Sequence, residues 1–280
     1  MLRILLGIIA ILAMAGAPAA RAAHCVDVAL VLAVDGSGSI TDEEFAFQKD
    51  GIAAALRTDE VTRALAAAGT VALSAIFWGD GEFAVQKLGW HIVRGRFGLE
   101  YFARAIQETP RKVFGNTDIG SGLWGALDML ADPAICATRM LVNLSGDGRE
   151  TIAPKRRQVA SLAAARRRAL EMGVTVNALT VSEEVPDLAE YYAKSVIVGT
   201  GSFVMEVRRG SDFAAAFRKK LVRELSPQTV AALRAASDSA GRASSGAAAG
   251  SEIEIPEEQH HKQRNAHQPK KKCPDQLVLP

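Results

Sequence analysis

Residues 31–41 read VLAVDGSGSIT: an apolar run stops at Asp35, Ser37 and Ser39 alternate with glycines, and Thr41 follows. Upstream, residues 26–34 (VDVALVLAV) are almost unbroken apolar and β-branched sequence bounded by turn residues. That is the pattern of a strand buried on both faces of a parallel sheet. Downstream, Thr41-Asp42-Glu43-Glu44 has the capping-box form, and Phe45, Ile52 and Leu56 recur near helical spacing, which predicts a helix entered at Thr41. The glycine-serine loop is therefore expected at the carboxyl end of a strand and the mouth of a helix.

Several chemistries use such a loop, and most fail on their companions. Dinucleotide binding needs G-x-G-x-x-G, but Gly36-Ser37-Gly38 meets Thr41 at the third position, where helix packing requires a small residue. A phosphate loop needs a lysine just before the helix, and the first in the region is Lys49. A serine nucleophile needs a base, most often histidine. The histidines before the tail are His24 and His91, and G-x-S-x-G is absent around Ser37 and Ser39. A hard divalent cation fits better, because Mg²⁺ prefers oxygen ligands and two hydroxyls with a carboxylate make half a shell. The other half must come from loops at the same sheet edge. Gly115-Asn116-Thr117-Asp118-Ile119-Gly120, entering a helix, and Leu144-Ser145-Gly146-Asp147-Gly148, leaving a strand, are the candidates.

The rest of the chain supports a sheet with helices on both faces. Strands are expected over residues 71–78, 140–144, 174–181 and 202–207, with 83–90 as an antiparallel edge strand. Helices are expected over 96–107, 118–130, 154–172 and 187–193, and an amphipathic helix over 212–225 carries Phe213, Phe217, Leu221 and Leu225. Strands alternating with helices predict a doubly wound, mostly parallel α/β sheet.

Composition narrows the class. At 49% hydrophobic and 23% charged residues the chain can bury a sizeable core. The net charge of +2, with Lys155-Arg156-Arg157 and Arg166-Arg167-Arg168 as separate clusters, argues against nucleic acid as a partner. Residues 1–22 combine Arg3, an apolar run and Ala20-Arg21-Ala22, the form of a secretory signal peptide, and export to the periplasm or beyond is the expectation. Uncleaved, the segment would be the chain's one membrane contact, but its strongly apolar stretch, residues 4–14, falls short of the ~20 residues a spanning helix needs. Residues 23–226 would form the folded domain, and 227–280, rich in Ala, Ser and Gly and then in charge, a disordered tail. In that tail His260, His261 and His267 are expected to be solvated. Cys25, Cys136 and Cys273 have no C-x-x-C spacing and suit one bridge with one thiol left over.

With Asp35, Ser37 and Ser39 as DxSxS, Thr117 in a downstream loop and Asp147 after a later strand, the constellation resembles the metal-ion-dependent adhesion site (MIDAS) of a von Willebrand factor A domain. The likeness runs from about Cys25 to Leu225. In detail it is most similar to an exported bacterial family of such domains known as a domain of unknown function, of the DUF1194 type. The resemblance implies the A-type fold and Mg²⁺, with Mn²⁺ or Ca²⁺ as substitutes. It implies direct ligation by Ser37 and Ser39, state-dependent ligation by Thr117, and action through water for Asp35 and Asp147. Each residue taken alone is also what a helix cap looks like, and Asp118 beside Thr117 suits a helix entrance rather than a ligand.

An ion so held is under-neutralised and attracts a carboxylate. The expected function is a non-enzymatic, exported module that binds a protein partner presenting Asp or Glu. The alternative is a metal-dependent hydrolase with Glu150 or Asp80 as base; a partnership with a cytosolic ATPase machine conflicts with the leader. Finally, Cys25 lies ten residues before Asp35 and Cys136 eleven before Asp147. If both aspartates end adjacent parallel strands, equal strand lengths put the sulfurs side by side at the opposite sheet edge, which predicts a Cys25–Cys136 disulfide.

Overall fold

The computed structural model describes residues 24–151, 159–182, 185–208 and 213–226. The expected leader and tail, the cluster at Lys155 and the thiol of Cys273 lie outside them. The strands are β1 (His24–Asp35), β2 (Val71–Trp78), β3 (Gln86–Val93), β4 (Ile135–Gly146), β5 (Thr175–Val181) and β6 (Val204–Val207). The helices are α1 (Asp42–Leu56), α2 (Asp59–Ala68), α3 (Gly95–Glu108), α4 (Ile119–Leu130), α5 (Leu162–Met172), α6 (Leu188–Ser195) and α7 (Phe213–Leu225).

The six strands form one sheet in the order β3-β2-β1-β4-β5-β6. All pairs are parallel except β2 with β3, which is the antiparallel edge. The chain works outward from β1 to β3, then returns to start β4 on the other side of β1. The crevice between the carboxyl ends of β1 and β4 is thus the topological switch point, where open α/β sheets bind ligands.

Alternation along β1 divides the core, because successive side chains point to opposite faces. Val28, Leu30, Leu32 and Val34 pack with Ile52 of α1, Val61 of α2, Phe102 of α3 and Phe217 of α7. Ala29, Val31 and Ala33 pack with Leu123 of α4, Ala165 of α5 and Tyr192 of α6. Each fully buried Val, Leu, Ile or Phe contributes about 1.5–3 kcal/mol, so β1 is gripped from both sides. The capping box forms: the Glu44 amide donates to Thr41 Oγ1 at 3.2 Å and the Thr41 amide to Glu44 Oε2 at 2.8 Å.

Three expectations need correction, and one helix was missed. Helix α2 was not anticipated. The edge strand sits at 86–93 rather than 83–90, because Glu82 and Phe83 turn on the Asp80 carboxylate and carbonyl. The strand expected over 140–144 runs to 12 residues, since its first half pairs with the start of β1. The helix expected from Pro154 starts only at Leu162, where the Ser161 hydroxyl caps the Ala164 amide; residues 152–158 lie outside the described set.

The predicted disulfide is present. Cys25 and Cys136 are register partners on β1 and β4, with Cα atoms 4.5 Å apart.

Candidate metal centre at the switch point

Asp35 is the last residue of β1 and is completely buried. Its Oδ1 accepts the Ser37 amide proton at 2.8 Å, which closes the tight turn of the DGSGS loop. Its Oδ2 is enclosed and has no hydrogen-bond partner. Burial first, then the charge of Asp147, pushes the Asp35 carboxyl up to about 8, with hydrogen bonds from Ser37 and from the Asp147 backbone opposing. A carboxylate placed at such cost is the form expected beside a counter-charge.

The hydroxyls gather next to it. Ser37 Oγ is 3.3 Å from Ser39 Oγ and 3.3 Å from Thr117 Oγ1. Ser39 Oγ donates to Asp147 Oδ1 at 2.8 Å. All five sequence-predicted residues, from three loops, therefore meet. Asp35 and Ser37 are sealed in while Ser39 is exposed, so the cluster opens to solvent on the Ser39 side.

Close backbone approach makes this convergence possible. The Gly38 amide donates to the Gly115 carbonyl at 2.6 Å, joining the first loop to the second. A Cβ on Gly38 would sit 3.0 Å from that same oxygen. At Gly146 a Cβ would stand 3.1 Å from Asp35 Oδ2 and run into the Tyr192 hydroxyl.

Sequence reasoning missed three supports. Arg111 donates to the Gly36 carbonyl at 3.0 Å and the Ser37 carbonyl at 2.8 Å, while its guanidinium stacks 4.7 Å from the Phe114 ring centroid. Asp80 accepts from Asn116 Nδ2 at 2.7 Å and from the Asn116 amide at 3.2 Å, which fixes the second loop. Tyr192, fully buried on α6, donates to the Gly148 carbonyl at 2.9 Å and so holds the third. Burial, with the nearby Asp35 and Asp147, raises its phenol well above the ordinary range, so it stays a donor. Asp118 is a cap: its carboxylate accepts from the Ser121 amide at 3.1 Å and the Ser121 hydroxyl at 2.7 Å.

The donor set suits a hard, oxygen-seeking cation: three hydroxyls, a buried carboxylate with an unmatched oxygen, and a second carboxylate. Among the described residues no group of three or more His, Cys, Asp and Glu side chains forms a softer site.

Comparison with known families agrees with this architecture. Residues 24–229 match the model of the family described as "Protein of unknown function (DUF1194)". The chain belongs to that family. This DUF1194 protein has the von Willebrand factor A-like fold, with its mixed sheet and seven described helices. Among solved structures it is similar to the open conformation of the pilus adhesin SpaC from Lactobacillus rhamnosus GG, at 15% identity and TM-score 0.52, covering 73% of this chain and 31% of that one. It is similar to proximal thread matrix protein 1 from the mussel byssus, at 18% identity and TM-score 0.51, covering 74% and 49%. The DUF1194 chain thus spans about a third to a half of the length of these proteins. No curated protein matches it.

Proposed function

We propose that this protein is an exported, non-enzymatic binding module that holds a divalent cation, Mg²⁺ by the chemistry of its donors, and through it captures an Asp or Glu carboxylate of a protein partner. Ser37, Ser39 and Thr117 would hold the ion, with Asp35 and Asp147 behind them. When bound, the ion supplies an electrophilic seat for an incoming carboxylate. The observation that carries this reading is the partnerless Asp35 Oδ2, buried beside a cluster of hydroxyls drawn from two loops.

Other observations support the binding reading over hydrolysis. Asp80 is taken up in fixing Asn116. Glu150 Oε2 accepts the Gly120 amide at 3.2 Å at the entrance of α4. The carboxylates considered as general bases are thus engaged in positioning loops. The adhesin and matrix proteins of like fold also favour a protein partner at the cell exterior. Export draws support from the Cys25–Cys136 disulfide, which suits an oxidising compartment. No helix among the described residues is long and apolar enough to cross a membrane.

Calorimetric titration of the metal-free protein with Mn²⁺ and Mg²⁺ tests the site. One ion should bind per chain, and both Asp35→Ala and Ser37→Ala should abolish binding. Full affinity in either variant would remove the site assignment.

A further inference from the structure

Beside the candidate centre lies an aromatic pair. Phe83, in the loop between β2 and β3, and Phe114, midway along the α3–α4 loop that carries Thr117, are 39% and 41% exposed. Their rings nevertheless meet edge to face, with centroids 5.9 Å apart. Elsewhere on the described surface, exposed Phe47 leans on buried Phe213, exposed Tyr101 on His91, and Phe97, 93% exposed, projects singly from the first turn of α3. Phe83 and Phe114 instead present two rings from separate loops as one apolar face.

That face is rigidly mounted and joined to the cation loops. The Phe114 carbonyl accepts the Asp80 amide at 2.8 Å, and the Asp80 carboxylate holds Asn116. The Arg111 guanidinium that stacks on Phe114 is the same one that bonds the Gly36 and Ser37 carbonyls. Exposed apolar rings whose mounting is already fixed lose little freedom on binding, so the area they bury contributes to affinity with little ordering cost. Phe114 stands three residues before Thr117, and three residues span at most about 10 Å. A ligand whose carboxylate meets the Ser37–Ser39–Thr117 cluster therefore brings its next few residues within reach of the pair.

We propose that Phe83 and Phe114 form an apolar subsite of the cation centre, and that the partner is a protein segment in which a large apolar or aromatic side chain lies within about three residues of the capturing Asp or Glu. This rests on the binding-module reading above.

The test is to pan a displayed random dodecapeptide library on the full chain in Mg²⁺ and elute with chelator. Eluted sequences should pair an acidic residue with Phe, Tyr, Trp, Leu, Ile or Met at that spacing. Phe114→Ser, and Phe83→Ser, which keeps the Arg111–Phe114 stack, should each weaken a selected peptide about tenfold. Phe83→Ser should leave Mn²⁺ affinity unchanged, and Phe114→Tyr, which keeps both the ring and its stack on Arg111, should bind the peptide as the wild type does. Chelator-eluted peptides that are acidic but lack the apolar neighbour, or that bind both serine variants equally well, would overturn the subsite and leave the cation centre standing. Absence of Mn²⁺ binding, or peptides indifferent to chelator, would remove the cation centre and the subsite together. Self-association that depends on concentration and is lost in Phe83→Ser would assign the pair to a second copy of the chain instead.

Discussion

Arg111 braces the DGSGS loop from its carbonyl side. Its Nη2 alone donates to two loop carbonyls, while its Nη1 reaches Asp42 at 2.8 Å and its face stacks on Phe114. An ammonium on a flexible stem cannot span the carbonyls and Asp42 while also laying a planar face on the ring. Partners that orient metal ligands from behind typically carry a 10–100-fold share of metal affinity. Arg111→Ala should therefore weaken Mn²⁺ binding by roughly tenfold or more, and Arg111→Lys should recover little of it; wild-type affinity in the alanine variant, read by calorimetry, would contradict this role. Sequence alone could not have found the residue. It lies between Pro110 and Lys112 without periodic neighbours, and its acceptors are 74 and 75 residues away. The five clustered oxygen-bearing residues, by contrast, were legible because each sits at or beside a strand end or helix entrance, where local pattern fixes placement.

At the scale of elements, α7 is fastened to the sheet by polar groups as well as by Phe213, Phe217 and Leu221. Glu224, fully enclosed, accepts from Lys220 Nζ at 2.5 Å, from Asn143 Nδ2 of β4 at 2.8 Å and from Asn177 Nδ2 of β5 at 3.1 Å. Its backbone carbonyl takes Arg139 at 2.7 Å. Glu224→Ala strands a buried ammonium and should cost about 3–5 kcal/mol in urea unfolding, whereas Lys220→Met with Glu224→Gln should come out near neutral or better. A near-neutral single variant would show that water reaches the pair. Burial lowers the Lys220 ammonium to about 8, with Glu224 opposing. The unfolded chain therefore holds more protons between pH 8 and the ordinary lysine value of 10.5. Wild-type stability should accordingly gain on the double variant as pH rises through that window and lose the gain below it. The amphipathic stripe of α7 was readable from sequence, but the ionic pair at Lys220 and Glu224 looks there like an ordinary i,i+4 surface pair. Helix α2 escaped for a different reason. Its Thr58 cap and first-turn Asp59 and Glu60 are clear signals, yet only Val61, Ala64 and Leu65 mark its buried face, too short a run for periodicity to register.

At the scale of the molecule, the two poles of the sheet have different duties. The carboxyl ends of β1 and β4 hold the loops; their amino ends hold Cys25 and Cys136, directly opposed in register. The pairing keeps one offset from the disulfide to Val34 and Ser145, so the bond that ties the strand starts also fixes which residues face each other at the switch point. The bridge closes a loop of 111 residues, and constraining so long a loop in the unfolded chain is worth about 4–5 kcal/mol in the chain-entropy model. For a domain of this size each kcal/mol moves Tm by about 2–4 °C. The Cys25→Ser/Cys136→Ser variant should thus melt roughly 8–20 °C below the oxidised protein. Dithiothreitol should lower the wild type to the same point, since Cys25 is exposed. Because the register is also held by the two apolar faces of β1, between which a one-residue slip would exchange the larger Val28, Leu30, Leu32 and Val34 for the smaller Ala29, Val31 and Ala33, the reduced protein should still bind Mn²⁺ below its melting temperature. Loss of the ion on reduction at a temperature where circular dichroism shows the fold intact would mean that the bridge, rather than the packing of β1 between its two helical layers, sets the geometry of the centre.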